Sequence, residues 1–267
     1  MRPNPTPGRG PFAVLATLGL AALPLALLTA PGAVAQPGPA DCVPEVAADT
    51  PEGAERLLSV LHEARTEGRD AAETDRRLAA AGCLTRVGGP APDTALPPAA
   101  GLALAPPQVY AIGEVAGRDR WVAFTEWRWN EIPAHPMTGN QAVATWFDTK
   151  VSPVLQVVHH AGATDAFPNT SREDAADVNG HGVGFLIRPE RNATDTNIAT
   201  GSLALVFEAG TTTCTDLTAH SAFAHTWGNT GINDLTVGPG GVSYDWTDQI
   251  DRALNVSGPT TVAGVCP

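Results

Sequence analysis

Lysine is nearly missing from this chain. Of 16 basic residues only Lys150 is a lysine, and 28 Asp and Glu leave a net charge of −12. So few cations argue against nucleic acid or an anionic membrane as the main partner. Charged residues of both signs make up 16%, too few for a charge-rich disordered chain. Four cysteines in 267 residues are too sparse for a disulfide-dense miniprotein. Aromatic residues are absent between 41 and 107. Long helical periodicity is absent beyond 108. Apart from one run near the start, no apolar stretch could span a bilayer. A chain of this length can nevertheless bury a sizeable core.

That one run extends from Phe12 to Ala30, behind Arg2 and Arg9, and leads into Ala33-Val34-Ala35. A positive start, an apolar stretch and a small-x-small site predict a secretory signal peptide over 1–35, cut before Gln36. Pro24 interrupts the run and no cationic cluster follows it, which favours cleavage over anchoring. The mature protein is expected outside the cell, with no membrane span. There the even set Cys42, Cys83, Cys214 and Cys266 would be oxidised. Of the three connectivities, Cys42–Cys83 and Cys214–Cys266 are favoured, because each pair then stays within one composition block.

The aromatic boundary divides the chain. Residues 41–88 read as a helical hairpin. Thr50-Pro51-Glu52 opens its first helix, and Ala54, Leu57, Leu58, Leu61 and Ala64 form an apolar stripe. Gly68 ends that helix, Asp70 caps the second, and Gly82 stops it. Residues 89–107 are a Pro/Ala/Gly linker. Residues 108–267 are expected to form an antiparallel β-sandwich. Its strands are expected at 108–115, 120–129, 141–148, 153–160, 181–188, 202–208, 220–227, 232–237, 241–246 and 260–265. Alternation puts Trp121, Ala123, Thr125, Trp127 and Trp129 on one face, with Val122, Phe124, Glu126 and Arg128 on the other.

The chemistry is marked mostly by missing motifs. C-x-x-C, H-E-x-x-H, H-x-H and G-x-S-x-G do not occur, so neither a metal nor a cofactor is called for. His159 and His160 are neighbours on a strand and should point to opposite faces. Asp177-Val178-Asn179-Gly180 faintly resembles a calcium loop, but His181 and Arg188 stand where oxygen ligands belong. Glu126, Glu131, Asp148 and Glu208, with His135 and His181, are the side chains a hydrolase could draw on. For binding, Trp127 and Trp129 form a same-face pair followed by a loop with Glu131, His135 and Asn140. These five are the candidate ligand-binding residues, the alternative for the tryptophans being the core.

The signal peptide, Trp127-Arg128-Trp129-Asn130, Thr211-Thr212-Thr213-Cys214, His225-Thr226-Trp227 and Gly238-Pro239-Gly240-Gly241-Val242 together resemble uncharacterised secreted proteins of high-GC actinobacteria. The resemblance implies export and a β-rich fold, and assigns no activity or functional residue. The sequence thus points to a secreted non-catalytic protein that binds a glycan, cell-envelope ligand or protein. The alternatives are a hydrolase of extracellular polymer and a structural or inhibitory protein.

Overall fold

Thr50 sits in extended backbone ahead of helix α1 (Pro51–Thr66), and its hydroxyl accepts from Gly53 N at 3.1 Å. Gly68 adopts a φ of 67°, a left-handed turn that suits glycine, and breaks the helix. Asp70 then caps α2 (Ala71–Gly82), accepting from Glu73 N at 2.8 Å. The helix closes on a left-handed Cys83, whose sulfur is bonded to Cys42. Cys214 is bonded to Cys266, so both expected pairs are present. Two disulfides suit an oxidising, extracellular setting.

The computed structural model describes residues 42–90, 101–133, 135–164, 166–167 and 169–267. The signal segment 1–35 and linker residues 91–100 lie outside the described residues. The strands are β1 (Thr85–Pro90), β2 (Leu102–Leu104), β3 (Gln108–Val115), β4 (Arg118–Trp129), β5 (Gln141–Phe147), β6 (Val151–Ala161), β7 (Ala175–Asn179), β8 (Gly182–Ile187), β9 (Thr200–Ala209), β10 (Thr215–Thr226), β11 (Ile232–Gly238), β12 (Gly241–Trp246), β13 (Arg252–Val256) and β14 (Thr260–Val265). Each of the ten expected windows holds a strand. The linker is shorter than expected, because Gly89 and Pro90 belong to β1 and Leu102–Leu104 to β2. The last residues of the expected hairpin block are likewise strand, from Thr85 onward.

The protein is mainly β, and every pairing between the strands is antiparallel. One twelve-stranded sheet runs β6-β9-β4-β3-β1-β14-β10-β5-β8-β7, with β13 added to β10 and β2 to β4. Its ends approach each other, Val151 N donating to Gly180 O at 2.9 Å, so the sheet is nearly closed into a barrel. Lys150, exposed in the β5–β6 turn, accepts from Gly210 N at 3.2 Å on its carbonyl.

Three apolar clusters hold this arrangement. The interior takes Trp121, Trp127, Val143, Phe147, Phe185, Leu203, Leu205, Phe207 and Phe223 among others. Outside one wall, Leu57, Leu58 and Leu61 of α1 and Leu78 of α2 cover Tyr110, Val122, Phe124, Ala204 and Val206. Outside another, the β11–β12 hairpin lays Ile232, Leu235 and Val237 over Ala142, Ala144, Trp146, Ala222 and Ala224. The alternation along β4 is as expected, but its second face is not wet where Val122 and Phe124 lie under the helices. Even Glu126 is engaged there, accepting from Arg65 of α1 and, at 3.3 Å, from Gln108 Nε2. Burial and the neighbouring Arg128 lower the Arg65 pKa to about 10.

Candidate functional site

β4 ends at Trp129, and the chain turns through Glu131, Ile132, Pro133 and His135. Arg191 holds this segment by donating to the Pro133 carbonyl and, at 2.7 Å, to that of His135. β10 supplies His225, followed by Trp227. Its partner β13 places Ala253 opposite His225 and supplies Asn255. With Gly101, these residues enclose a cavity of about 460 Å³. That is within the ~300–1,000 Å³ range of small-molecule sites.

His225 stands between two indoles. Its ring centroid lies 4.7 Å from that of Trp129 and 5.3 Å from that of Trp227. Gln141, at the start of β5, fixes the imidazole. Its Nε2 donates to Gly139 O at 3.0 Å, Thr226 O at 3.1 Å and Thr226 Oγ1 at 2.7 Å. Its Oε1 is therefore the acceptor, receiving Thr226 N at 2.8 Å and His225 Nδ1 at 2.7 Å. The His225 proton is thus on Nδ1, and Nε2 carries a lone pair. Burial lowers the His225 pKa to about 4, so the ring is neutral at pH 7. Trp129 Nε1 and Asn255 Oδ1 are buried without hydrogen-bond partners among the described residues. A buried polar atom left unmet costs about 1–3 kcal/mol.

The five residues singled out from sequence divide. Trp129, Glu131 and His135 meet at this cavity. Trp127 does not. It is 1% exposed in the interior, its Nε1 donating to Ile198 O at 3.1 Å. Trp129 is 5% exposed, so the two indoles form no exposed platform. The reason is the sheet's curvature, which turns the Trp127 face inward. Asn140 lies off the cavity wall, its Nδ2 donating to Ile232 O at 3.2 Å. Nothing in the local sequence around His225, Trp227 and Asn255 points to a binding site. They reach the cavity only because β10 and β13 pair beside the end of β4.

The other carboxylates and histidines are dispersed. Asp148 accepts from Thr218 N at 2.8 Å. Glu208 is paired with Arg118 and Arg120. The His181 ring lies 3.3 Å from Phe147 O. Asp177 accepts from Asn179 Nδ2 at 2.9 Å and Val237 N at 2.7 Å, tying the β7–β8 turn to β11. Among the described residues, no group of three or more His, Cys, Asp or Glu is arranged to hold a metal ion.

A second cavity, of about 230 Å³, lies between α1 and the ends of β6 and β9. Its wall includes His62, His159, His160 and Thr200. Burial, then the charge of Arg172, then His160 and His62 lower the His159 pKa to about 4. Burial lowers His160 too, against its contact with Asn197 O at 3.0 Å and the nearby Glu173. The unfolded chain therefore takes up protons first, from the ordinary histidine value of 6.5 downward. Stability is complete above that value and falls as pH drops towards about 4. Thermal unfolding scanned from pH 7 to 4.5 should show a falling midpoint, with a shallower fall in His159→Gln. A midpoint constant over that interval would contradict the assignment.

No family model and no curated protein matches this chain. Among solved structures, one entitled "AvmM Catalyzes Macrocyclization in Alchivemycin A Biosynthesis" aligns with 60% of this chain and 90% of its own, at 10% identity and a TM-score of 0.25.

Proposed function

We propose that this is a secreted, non-catalytic binding protein, and that a glycan or cell-envelope ligand occupies the cavity beside Trp129, His225 and Trp227. The observation that carries this reading is the cavity itself, with its aromatic wall and few converging polar groups. The oxidised cysteines and the signal-like leader support an extracellular location. We read the sheet as two facing layers, the expected sandwich. Supporting this, Trp127 and Phe223, from separate stretches of the strand order, meet at 5.5 Å, and Phe147 and Phe207 meet at 4.7 Å.

Glu131 and His135 in one cavity favour a hydrolase as the second reading. It is weaker because Glu131 is the only carboxylate among the described lining residues, and no Ser, Thr or Cys nucleophile is among them. A histidine held near pKa 4 is also a poor general base at neutral pH.

The test is a glycan array probed with the oxidised protein and with Trp227→Ala. Trp227 is half-buried, so the variant should fold. Its binding should weaken about tenfold, roughly 1.4 kcal/mol. Equal binding by the two proteins would remove the cavity from consideration, and steady release of reducing ends from polymer would favour the hydrolase.

A further inference from the structure

Resting on that reading, we infer that His225 is the specificity-determining acceptor of the cavity, and that its ligand is a neutral hydroxylated ring rather than an anion or a quaternary ammonium. The argument is one of donors and acceptors. Gln141 engages His225 Nδ1 as donor, so only the lone pair on Nε2 is left to offer. Nε2 has no hydrogen-bond partner among the described residues. Asn255 Oδ1 and Trp129 Nε1 also lack partners among those residues, but both are buried within the wall and are not presented to the cavity. Glu131 adds a carboxylate to the wall.

A ligand seated here must give a proton to His225 Nε2. A carboxylate has no proton to give, and it meets Glu131 as a like charge. A quaternary ammonium has no proton to give either. A hydroxyl does, and the apolar edge of a pyranose can pack on the half-buried Trp227. A site built to hydrogen-bond hydroxyls rejects analogues that leave its polar groups unmet.

The experiment uses the oxidised full chain at pH 7 with three probes: methyl glucoside, glucuronate and tetramethylammonium. Long-range proton–nitrogen NMR of the imidazoles first checks the tautomer. His225 should show a protonated Nδ1 and a lone-pair Nε2, and saturating methyl glucoside should shift Nε2. Saturation-transfer NMR should show contact with methyl glucoside and at least tenfold weaker contact with the other two. His225→Phe keeps a ring of similar size, and should weaken glucoside binding at least tenfold while leaving a folded spectrum. If that variant unfolds, the Nε2 shift in the parent protein decides alone.

A protonated Nε2 would overturn the inference, as would an unshifted Nε2 with glucoside bound, or glucuronate bound equally well. Those results leave the cavity as a binding site. Absence of contact with all three probes would overturn the glycan reading along with the inference.

Discussion

Replacing Trp127 by alanine is expected to lower the stability of the fold by about 3–5 kcal/mol. The indole is almost fully enclosed, packs against Phe223, and lies across Gly201 of β9. A Cβ placed on Gly201 would fall 2.0 Å from the Trp127 ring, so the strand is bare there to let the ring through. Removing the ring opens a hole between two walls of the sheet. Chemical denaturation of the parent and Trp127→Ala checks the size of the loss. A loss below about 1 kcal/mol would mean that the ring is not the packing centre described here. Any ligand binding lost in this variant reflects the fold, in contrast to Trp227→Ala.

Converting both Cys42 and Cys83 to serine should cost about 4 kcal/mol, the value chain-entropy arithmetic gives for a loop of this size. The cysteines are 41 residues apart, and the link joins the approach to α1 to the end of α2. The helices do not rest on this link alone, since Leu57, Leu58 and Leu61 share a core with Tyr110 and Phe124 of the sheet. The double variant should therefore still fold, with a lower denaturation midpoint. If the midpoint is unchanged, the link contributes nothing beyond that shared core.

What could be read from the sequence follows from how local each signal is. Ten strand windows stood out because β-branched and aromatic residues alternated between turn residues. β1 is half glycine and proline (Thr85–Pro90), β2 has three residues, and β7 (Ala175–Asn179) and β13 (Arg252–Val256) have five each. These escape a periodicity test, because they are held by neighbours rather than by their own pattern. The caps at Thr50 and Asp70 and both disulfides were also legible, since each depends on short or blockwise spacing.

The candidate site was legible in part. The loop after Trp129 drew attention to Glu131 and His135. His225 could not be paired with Gln141 from the sequence, because 84 residues separate them. Asn255 lies on the short strand β13, which reaches the cavity only by pairing with β10. That the face of β4 bearing Val122 and Phe124 is covered is not legible in the strand itself, because a one-strand pattern cannot reveal the helices laid across it.

The scarcity of lysine gains a practical meaning from where Lys150 sits. It is exposed just beyond the last residue of β5, while Gln141, which positions His225, begins the same strand. At about 3.3 Å per residue, the strand alone separates the two by about 20 Å. Coupling through side-chain amines has a single attachment point in this chain. A sensor surface made that way would hold the molecules in one orientation, with the cavity left open to whatever flows past.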